Sequence, residues 1–194
     1  GVLLVCDEVA TGFGRTGTMF ACEREGVAPD IMAVAKGLTG GYLPLAATLT
    51  TEEVYRGFLG RYEEFKTFFH GHSYTANPLG CAAALGTLSI FEREDVPARV
   101  SALSALMARS LGGLASHPNV GDIRQAGLMA GIEIVADRET KERFPPERKI
   151  GQRVVRKARE RGIILRPLGD VIVLMPPLSS TEREIEDLVA VAGW

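Results

Sequence analysis

Two apolar runs of strand length in the first forty residues each end in a polar residue. The first run covers residues 3–6 and ends at Asp7, and the second covers residues 31–35 and ends at Lys36. Strands buried on both faces of a parallel sheet have such continuous apolar runs, and open α/β sheets hold their chemistry just beyond the carboxyl ends of these strands. The pattern therefore predicts an acid and an amine at one edge of a buried parallel sheet.

The rest of the first half alternates short elements with polar loops. Residues 45–50 predict another short buried strand, and Thr51 is a suitable cap for a short helix after it. Residues 57–72 contain glycines and several charges, which predicts a surface segment. Asn77 followed by proline is the order that opens helices, so the alanine-rich run over residues 79–92 is predicted to be helical.

The second half alternates helices and strands around a polar loop and a turn. The pattern predicts helices over 96–114 and 150–161, strands over 120–124, 128–135, 163–165 and 171–175, a polar loop over 136–146, a turn over 167–170, and a last helix to 191. Gly162 is a suitable residue to end the 150–161 helix. Thr181 and Glu184 have the spacing of a capping box, which predicts where the last helix begins.

Composition and charge limit the kinds of molecule that the chain is expected to bind. The chain has 194 residues, and its net charge of -2 gives no electrostatic reason to expect a nucleic acid or an anionic membrane as partner. No stretch approaches the roughly 20 apolar residues of a membrane span. The cysteines, Cys6, Cys22 and Cys81, are few and odd in number, which fits a reducing cytoplasm better than a disulfide framework.

The start of the chain predicts a longer polypeptide. Gly1 is followed at once by the apolar run that predicts a central buried strand, and natural domains rarely begin inside such a strand. We therefore expect this chain to be the C-terminal part of a larger protein.

An acid and an amine at one sheet edge suit pyridoxal phosphate, whose ring nitrogen takes an acidic partner and whose aldehyde takes a lysine. Taken singly, an Asp after a strand is more often a cap and a Lys is more often a solvated surface group. Gly37 and the nearby residues 39–41 leave little bulk around Lys36, and the loop after Asp7 has glycines that let backbone approach a ligand closely. These features favour the cofactor hypothesis.

Residues 7–17 read DEVATGFGRTG and residues 36–38 read KGL. Together they resemble the signature of the class III pyridoxal-phosphate aminotransferases. The resemblance implies an α/β fold of fold type I. Residues 1–92 are then the C-terminal part of the large cofactor-binding domain, with a mixed, mostly parallel sheet and a linking helix, and residues 93–194 are a small α+β domain. It also implies a homodimer with shared active sites.

The resemblance assigns roles to five residues around the cofactor. Lys36 is implied to hold the cofactor aldehyde and to move a proton during catalysis, and Asp7 is implied to contact the ring nitrogen. Val9 is implied to pack on one face of the ring. Gly71 and Ser73 match a segment that contacts the cofactor phosphate of the partner subunit, and Gly71 is also expected near the substrate.

Two arginines are expected at the substrate. Arg166 follows an apolar run and precedes a proline, which predicts a buried, held guanidinium, and the resemblance implies that it binds the substrate carboxylate. Arg15 matches a second arginine near the substrate, with a surface salt bridge as the alternative. His70 and His72 are two residues apart, but the sequence offers no third metal ligand near them, so we expect no metal site.

Three segments, residues 36–49, 69–74 and 165–169, resemble one branch of the family more closely. That branch transfers an amino group from S-adenosylmethionine to 8-amino-7-oxononanoate in biotin synthesis, so these small molecules are the expected substrates. The alternatives are another class III enzyme, of the ω-amino-acid, acetylornithine, ornithine or 4-aminobutyrate type, or a semialdehyde aminomutase. A chain that lacks its N-terminal half is also compatible with a non-catalytic piece that only assembles with partner chains.

Overall fold

The computed structural model describes residues 1–193. The chain forms two compact units, one over Gly1–Asp95 and one that begins at Val96. Among the described residues, no helix has the length and apolar character that crossing a membrane requires. The predicted division into functional domains after residue 92 stays a prediction.

The first unit is built on a three-stranded mixed sheet with the strand order β1-β2-β3. Its strands and α-helices are β1 Val5–Asp7, β2 Ile31–Val34, β3 Ala47–Thr50, α1 Glu52–Arg56 and α2 Pro78–Arg93. β1 and β2 are parallel, and β2 and β3 are antiparallel. The two predicted strands that end near Asp7 and Lys36 are therefore neighbours, as the apolar runs indicated.

The burial of this sheet differs from the expectation of two covered faces. Leu3 is 57% exposed and Val5 is 60% exposed, and all four residues of β3 are exposed. β1 and β3 are the two outer strands of the sheet, and the residues described here cover little of their faces. Within the sheet only Val34 of the central strand is buried.

Local capping signals correctly predicted the helices of the first unit. Thr51 caps α1 by accepting a hydrogen bond from the backbone N–H of Val54 at 3.4 Å. Asn77 caps α2 in the same way, accepting from the backbone N–H of Gly80 at 2.7 Å, and Pro78 occupies the first helical position. The predicted surface segment between the two helices is exposed throughout, from Gly57 to Ala76.

The second unit is a four-stranded antiparallel sheet packed with three helices. Its elements are α3 Val96–Gly112, β4 Val120–Ala126, β5 Met129–Ile134, α4 Ile150–Glu160, β6 Arg166–Leu168, β7 Val171–Leu174 and α5 Glu182–Ala192. The strand order is β4-β5-β7-β6. The capping box is present, because Thr181 and Glu184 each accept a hydrogen bond from the other's backbone N–H.

The core of the second unit lies between its helices and the central strands. Most of its fully buried side chains come from α3, β5, β7 and α5, and they include Val100, Met107, Ile132, Ile172, Leu174 and Ile185. Along β7 the buried and half-buried positions alternate, which is the period of a strand with one covered face. This unit therefore contains most of the chain's buried apolar side chains.

One predicted strand lies three residues later than expected. Residues 163–165 are irregular, and the strand is Arg166–Leu168, with Pro167 opposite Ile172 of β7. A proline is tolerated here because β6 is an edge strand, whose outer side needs no donor. Arg166 is consequently exposed, and the prediction of a buried guanidinium is wrong.

Candidate active site

The register of β1 and β2 brings the predicted acid and amine to the same edge of the sheet. Asp7 is the last residue of β1 and lies opposite Ala33 of β2. The backbone N–H of Glu8 donates to the carbonyl of Ala33 at 2.9 Å, which continues the pairing past Asp7. β2 ends at Val34, and Lys36 begins a short 3₁₀ turn immediately beyond it. Since the strands are parallel, both side chains start from their carboxyl ends.

The charged groups of Asp7 and Lys36 are both exposed and available to a ligand. One carboxylate oxygen of Asp7 accepts from the backbone N–H of Val9 at 3.0 Å, and the other oxygen has no hydrogen-bond partner among residues 1–193. The Lys36 ammonium likewise has neither a hydrogen-bond partner nor a carboxylate partner in the described chain. An acceptor for a protonated ring nitrogen and an amine for an aldehyde form a donor set that fits pyridoxal phosphate.

Lys36 has a backbone conformation that lysine seldom adopts. Its φ is 42°, in the left-handed region, which costs an L-residue about 1–2 kcal/mol. The residue just before it, Ala35, is extended with a φ of -162°. The chain therefore turns sharply at Lys36, and backbone strain at a single position often accompanies a functional role.

Glu8, the neighbour of Asp7, is a buried carboxylate that anchors the loop after β1. It is 3% exposed, and it accepts hydrogen bonds from the Thr11 hydroxyl and from the backbone N–H of Cys22, the latter at 2.8 Å. Burial alone raises the pKa of Glu8, but the hydrogen bonds from Thr11, Cys22 and Ala21 outweigh it, so the pKa is lowered. The ionised carboxylate thus ties both ends of the loop together.

Phe13 packs the glycine-rich loop against the turn that carries Lys36. Its ring is 4% exposed and lies edge-on to Phe20 and Phe91, with ring centroids 5.7 Å and 6.5 Å away. A Cβ at Gly37 would lie 2.8 Å from the Cβ of Phe13, closer than real Cβ contacts. The lack of a side chain at Gly37 therefore permits the contact between loop and turn.

The glycines of the loop also serve the loop's own packing. A Cβ at Gly12 would lie 2.9 Å from the carbonyl oxygen of Glu8 and 3.3 Å from the Phe20 ring. Gly14 and Gly17 have φ values of 85° and 94°, which L side chains rarely adopt. These features explain the spacing of the glycines without any ligand.

Two residues of this arrangement, Glu8 and Phe13, were not among the predicted site residues. Both lie inside the motif over residues 7–17, and an acid followed by an aromatic between two glycines was the available signal. Their partners Cys22 and Gly37 lie 14 and 24 positions further along the chain, beyond the reach of local patterns. Cys22 is itself affected, because burial and the Glu8 carboxylate raise the pKa of its thiol.

Val9 and Arg15 lie in the same loop and are both half-buried. Burial lowers the pKa of the Arg15 guanidinium, and arginine stays protonated in proteins even so. A half-buried guanidinium loses more hydration than a solvated surface arginine, which favours a fixed position for its charge. The assignment of Arg15 to the substrate stays a prediction.

Gly71 and Ser73 lie in the exposed segment between α1 and α2. No atom lies within 4 Å of a Cβ built at Gly71, and the Ser73 hydroxyl has no hydrogen-bond partner among the described residues. The turn around them is held by the backbone N–H of His72, which donates to Thr75, and by that of Tyr74, which donates to Nδ1 of His72 at 3.1 Å. The structure does not bring Gly71 and Ser73 into contact with Asp7 or Lys36 within this chain.

Comparison with known proteins gives consistent matches. A family model described as aminotransferase class-III matches residues 1–191. Adenosylmethionine-8-amino-7-oxononanoate aminotransferases from Nitratidesulfovibrio vulgaris and Anoxybacillus flavithermus are 60% and 57% identical to this chain over 189 residues, 97% of its length. The crystal structure of a protein with that name from Methanocaldococcus jannaschii matches with a TM-score of 0.95 at 52% identity, over 99% of this chain and 45% of that one.

A second class of enzyme has the same fold. A thermostable (S)-enantioselective ω-transaminase from Thermomicrobium roseum matches with a TM-score of 0.92 at 40% identity, over 99% of this chain and 42% of that one.

The match is nearly complete for this chain but partial for its relatives. The chain spans 35% and 42% of the two curated relatives, less than half the length of each. Over that span its fold is the one found in solved transaminases, which confirms the predicted α/β fold-type-I fragment. The chain therefore belongs to the class-III aminotransferase family, whose cofactor is pyridoxal phosphate, as the sequence predicted.

Proposed function

We propose that this chain supplies the lysine, the acid and the substrate-binding arginines of an enzyme that transfers an amino group from S-adenosylmethionine to 8-amino-7-oxononanoate. The product is 7,8-diaminononanoate, a biotin precursor. The observation that supports the chemistry is the parallel register of β1 and β2, which gives Asp7 and Lys36 a common sheet edge. The choice of substrates is supported by the names of relatives that are 52–60% identical to this chain.

Lys36 and Asp7 have different roles at the cofactor. Bound pyridoxal phosphate supplies an aldehyde and an electron-withdrawing ring. Nζ of Lys36 would hold the aldehyde of the cofactor and, when free of it, would move a proton between the substrate α-carbon and the cofactor. The free carboxylate oxygen of Asp7 would accept a hydrogen bond from the ring nitrogen and keep that nitrogen protonated. Val9 would pack against one face of the ring.

The remaining predicted residues bind the substrates and the partner subunit. Arg166 binds the substrate carboxylate, for which the planar guanidinium has matching bidentate geometry, and Arg15 is a second arginine near the substrate. Gly71 and Ser73 contact the cofactor phosphate of a second subunit, so the working enzyme is a homodimer with shared active sites. The exposed segment over residues 57–76 supports this arrangement, because its aromatic side chains contact mainly one another and stay exposed within one chain. We infer a cytoplasmic location from the cysteine usage.

The test is a lysine-mapping experiment on the complete polypeptide that contains these residues. The protein is loaded with pyridoxal phosphate, reduced with borohydride and mapped by mass spectrometry. We expect the label on Lys36, and we expect K36A to lose both the label and the activity. K157A is the control, because Lys157 is an exposed lysine of the second unit paired with Glu160 at 2.9 Å, and it should keep both. A label on another lysine would contradict the proposal.

The role of Asp7 predicts a different result for D7N. This variant should still take the label, since Lys36 is intact, but its turnover should fall by about 10²–10⁴-fold. A D7N enzyme with ordinary turnover would show that Asp7 does not act on the ring nitrogen.

An ω-transaminase is the second candidate function, because such an enzyme shares the fold at 40% identity. Donor competition separates the two. Turnover with S-adenosylmethionine and 8-amino-7-oxononanoate supports the proposed reaction. Indifference to S-adenosylmethionine with ready use of ornithine, 4-aminobutyrate or a simple amine would replace it with the second candidate.

A further inference from the structure

The second unit contains a cavity of about 470 Å³ whose lining is mainly apolar. Its floor is made by β4 and β5, through Val120, Ile132 and Ile134, and its walls include Ile150 and Val154 of α4. Ligand sites in proteins commonly have volumes of about 300–1,000 Å³ and apolar linings. The cavity therefore has the size and the surface of a small-molecule site.

The mouth of the cavity is cationic. Arg153, Arg156 and Lys157 of α4 all line it, and their spacing of three and four residues puts them on one face of the helix. Arg148 also lines it, with its guanidinium 4.8 Å from the centre of the Phe144 ring. Glu160 is the one acidic residue among the described residues of the lining.

The positive charge at the mouth is not neutralised within the described chain. Lys157 pairs with Glu160 at 2.9 Å, which uses the one carboxylate. Arg153 and Arg156 have no carboxylate within ion-pair distance among residues 1–193, and both are exposed. Two uncompensated guanidinium groups beside an apolar cavity concentrate positive potential at its entrance, because the low-dielectric walls focus the field.

We propose that this cavity binds an aliphatic carboxylate. The carboxylate lies on Arg153 and Arg156, where the planar forks offer bidentate hydrogen bonds, and the aliphatic body lies on the apolar floor. The lining offers few uncharged polar groups, chiefly Asn119 and His117, so a sugar or a nucleoside would leave hydroxyl groups without partners. The charge and the lining together therefore favour a short fatty or dicarboxylic acid.

This site is separate from the residues proposed for transamination. None of Asp7, Arg15, Lys36 and Arg166 lines the cavity. The proposal therefore holds or fails independently of the proposed function.

Calorimetric titration of octanoate into the complete polypeptide tests the site. We expect saturable binding that the double variant R153Q/R156Q weakens by about tenfold or more, since each charged hydrogen bond is worth more than a neutral one. R159Q is the matched control, because Arg159 is an exposed arginine of the same helix that does not line the cavity. It should bind octanoate like the parent protein. Octylammonium, which has the same tail and the opposite charge, should not bind.

Each of the following results would overturn the proposal. Octanoate would give no saturable heat if another part of the polypeptide filled the cavity. Binding that R153Q/R156Q leaves unchanged would exclude the two arginines. If R166Q abolished octanoate binding and R153Q/R156Q retained it, the octanoate would bind at the candidate active site instead. The variant I134W fills the cavity with a larger side chain and so tests whether the arginines bind octanoate at the surface instead. An affinity for octanoate that I134W leaves unchanged would also contradict the cavity as the site.

Discussion

The carboxylate of Glu8 anchors the glycine-rich loop after β1. It is buried, it is hydrogen-bonded to Thr11 and to the backbone of Cys22, and it directly follows Asp7 in the chain. Any movement of this loop therefore moves the backbone that carries Asp7. We infer that Glu8 positions the acid without contacting the ligand.

The variant E8Q tests this anchor through stability. The loop donates hydrogen bonds to both carboxylate oxygens of Glu8, whereas glutamine offers one acceptor oxygen. At pH 7 the free energy of unfolding should therefore fall by about 1.5 kcal/mol, the value of a hydrogen bond to a charged group. Urea unfolding of the parent and of E8Q measures the difference. E25Q is the control, because Glu25 is exposed at the end of the short 3₁₀ helix Ala21–Glu25 that follows the loop, and it should unfold like the parent.

The pH dependence of that difference has a defined sign. Because the folded chain lowers the pKa of Glu8 below its ordinary value of 4.5, the ionised group stabilises the fold fully above that pH. Its contribution is lost as the pH falls through the lowered pKa. The gap between the parent and E8Q should therefore shrink below pH 4.5, and a gap that stayed constant with pH would contradict the assignment.

The sequence predicted only part of what individual residues do in the candidate site. The positions of Asp7 and Lys36 at the ends of neighbouring strands were predictable because each follows an apolar run, which is a local pattern. The roles of Glu8 and Phe13 depend on contacts with Cys22 and Gly37 that form only after the chain has folded. The exposure of Arg166 depends on the strand order of the second sheet, which no local pattern reveals.

At the scale of elements, local signals predicted helix boundaries well. α2 was expected over residues 79–92 and spans Pro78–Arg93, because its Asn–Pro start is encoded in adjacent residues. The strand expected over residues 163–165 was wrong for the opposite reason. Three apolar residues indicated a strand there, but the pairing with β7 selects Arg166–Leu168 instead. Pairing is a tertiary property, so the apolar pattern alone misplaced the strand.

The contact between the glycine-rich loop and the Lys36 turn gives a prediction for G37A. The added Cβ would lie 2.8 Å from the Cβ of Phe13, so the loop or the turn must shift. We expect the free energy of unfolding to fall by about 1–3 kcal/mol, as in overpacked cores, and we expect weaker binding of pyridoxal phosphate. Thermal unfolding and cofactor titration measure the two effects.

G86A is the matched control for G37A. Gly86 lies exposed in α2 with no atom within 4 Å of an added Cβ. Since alanine is a better helix former than glycine, this variant should be more stable by up to about 1 kcal/mol. Equal effects from G37A and G86A would show that the contact with Phe13 does not constrain the turn.

At the scale of the whole molecule, the two units differ in how completely they bury their apolar side chains. The second unit has a continuous core, whereas the first exposes residues of β1, β3 and the segment over 57–76. The sequence predicted that β1 and β3 would be buried, because their apolar runs are typical of covered strands. Burial also depends on what lies against a strand, and this chain spans only about two fifths of the relatives' length.

The exposed strand β1 predicts self-association of this chain when it is produced alone. An open strand edge with apolar side chains is a template for pairing with another chain. V5K, which adds a charge to β1, should reduce the mass measured by light scattering. I164K is the control, because Ile164 is 79% exposed in the second unit, outside any strand. If I164K lowered the mass as much as V5K, general apolar stickiness rather than the strand edge would be responsible.

Pro167 gives the second sheet a closed border. It lies in β6, the last strand of that sheet, and has no N–H with which to bind a further strand. Additional strands can pair with the edge of the first sheet, but the β6 edge of the second sheet disfavours such pairing. Growth of a fibre needs two complementary unpaired sheet edges on each chain. A proline in a three-residue strand thus limits the chain to finite assemblies on that side.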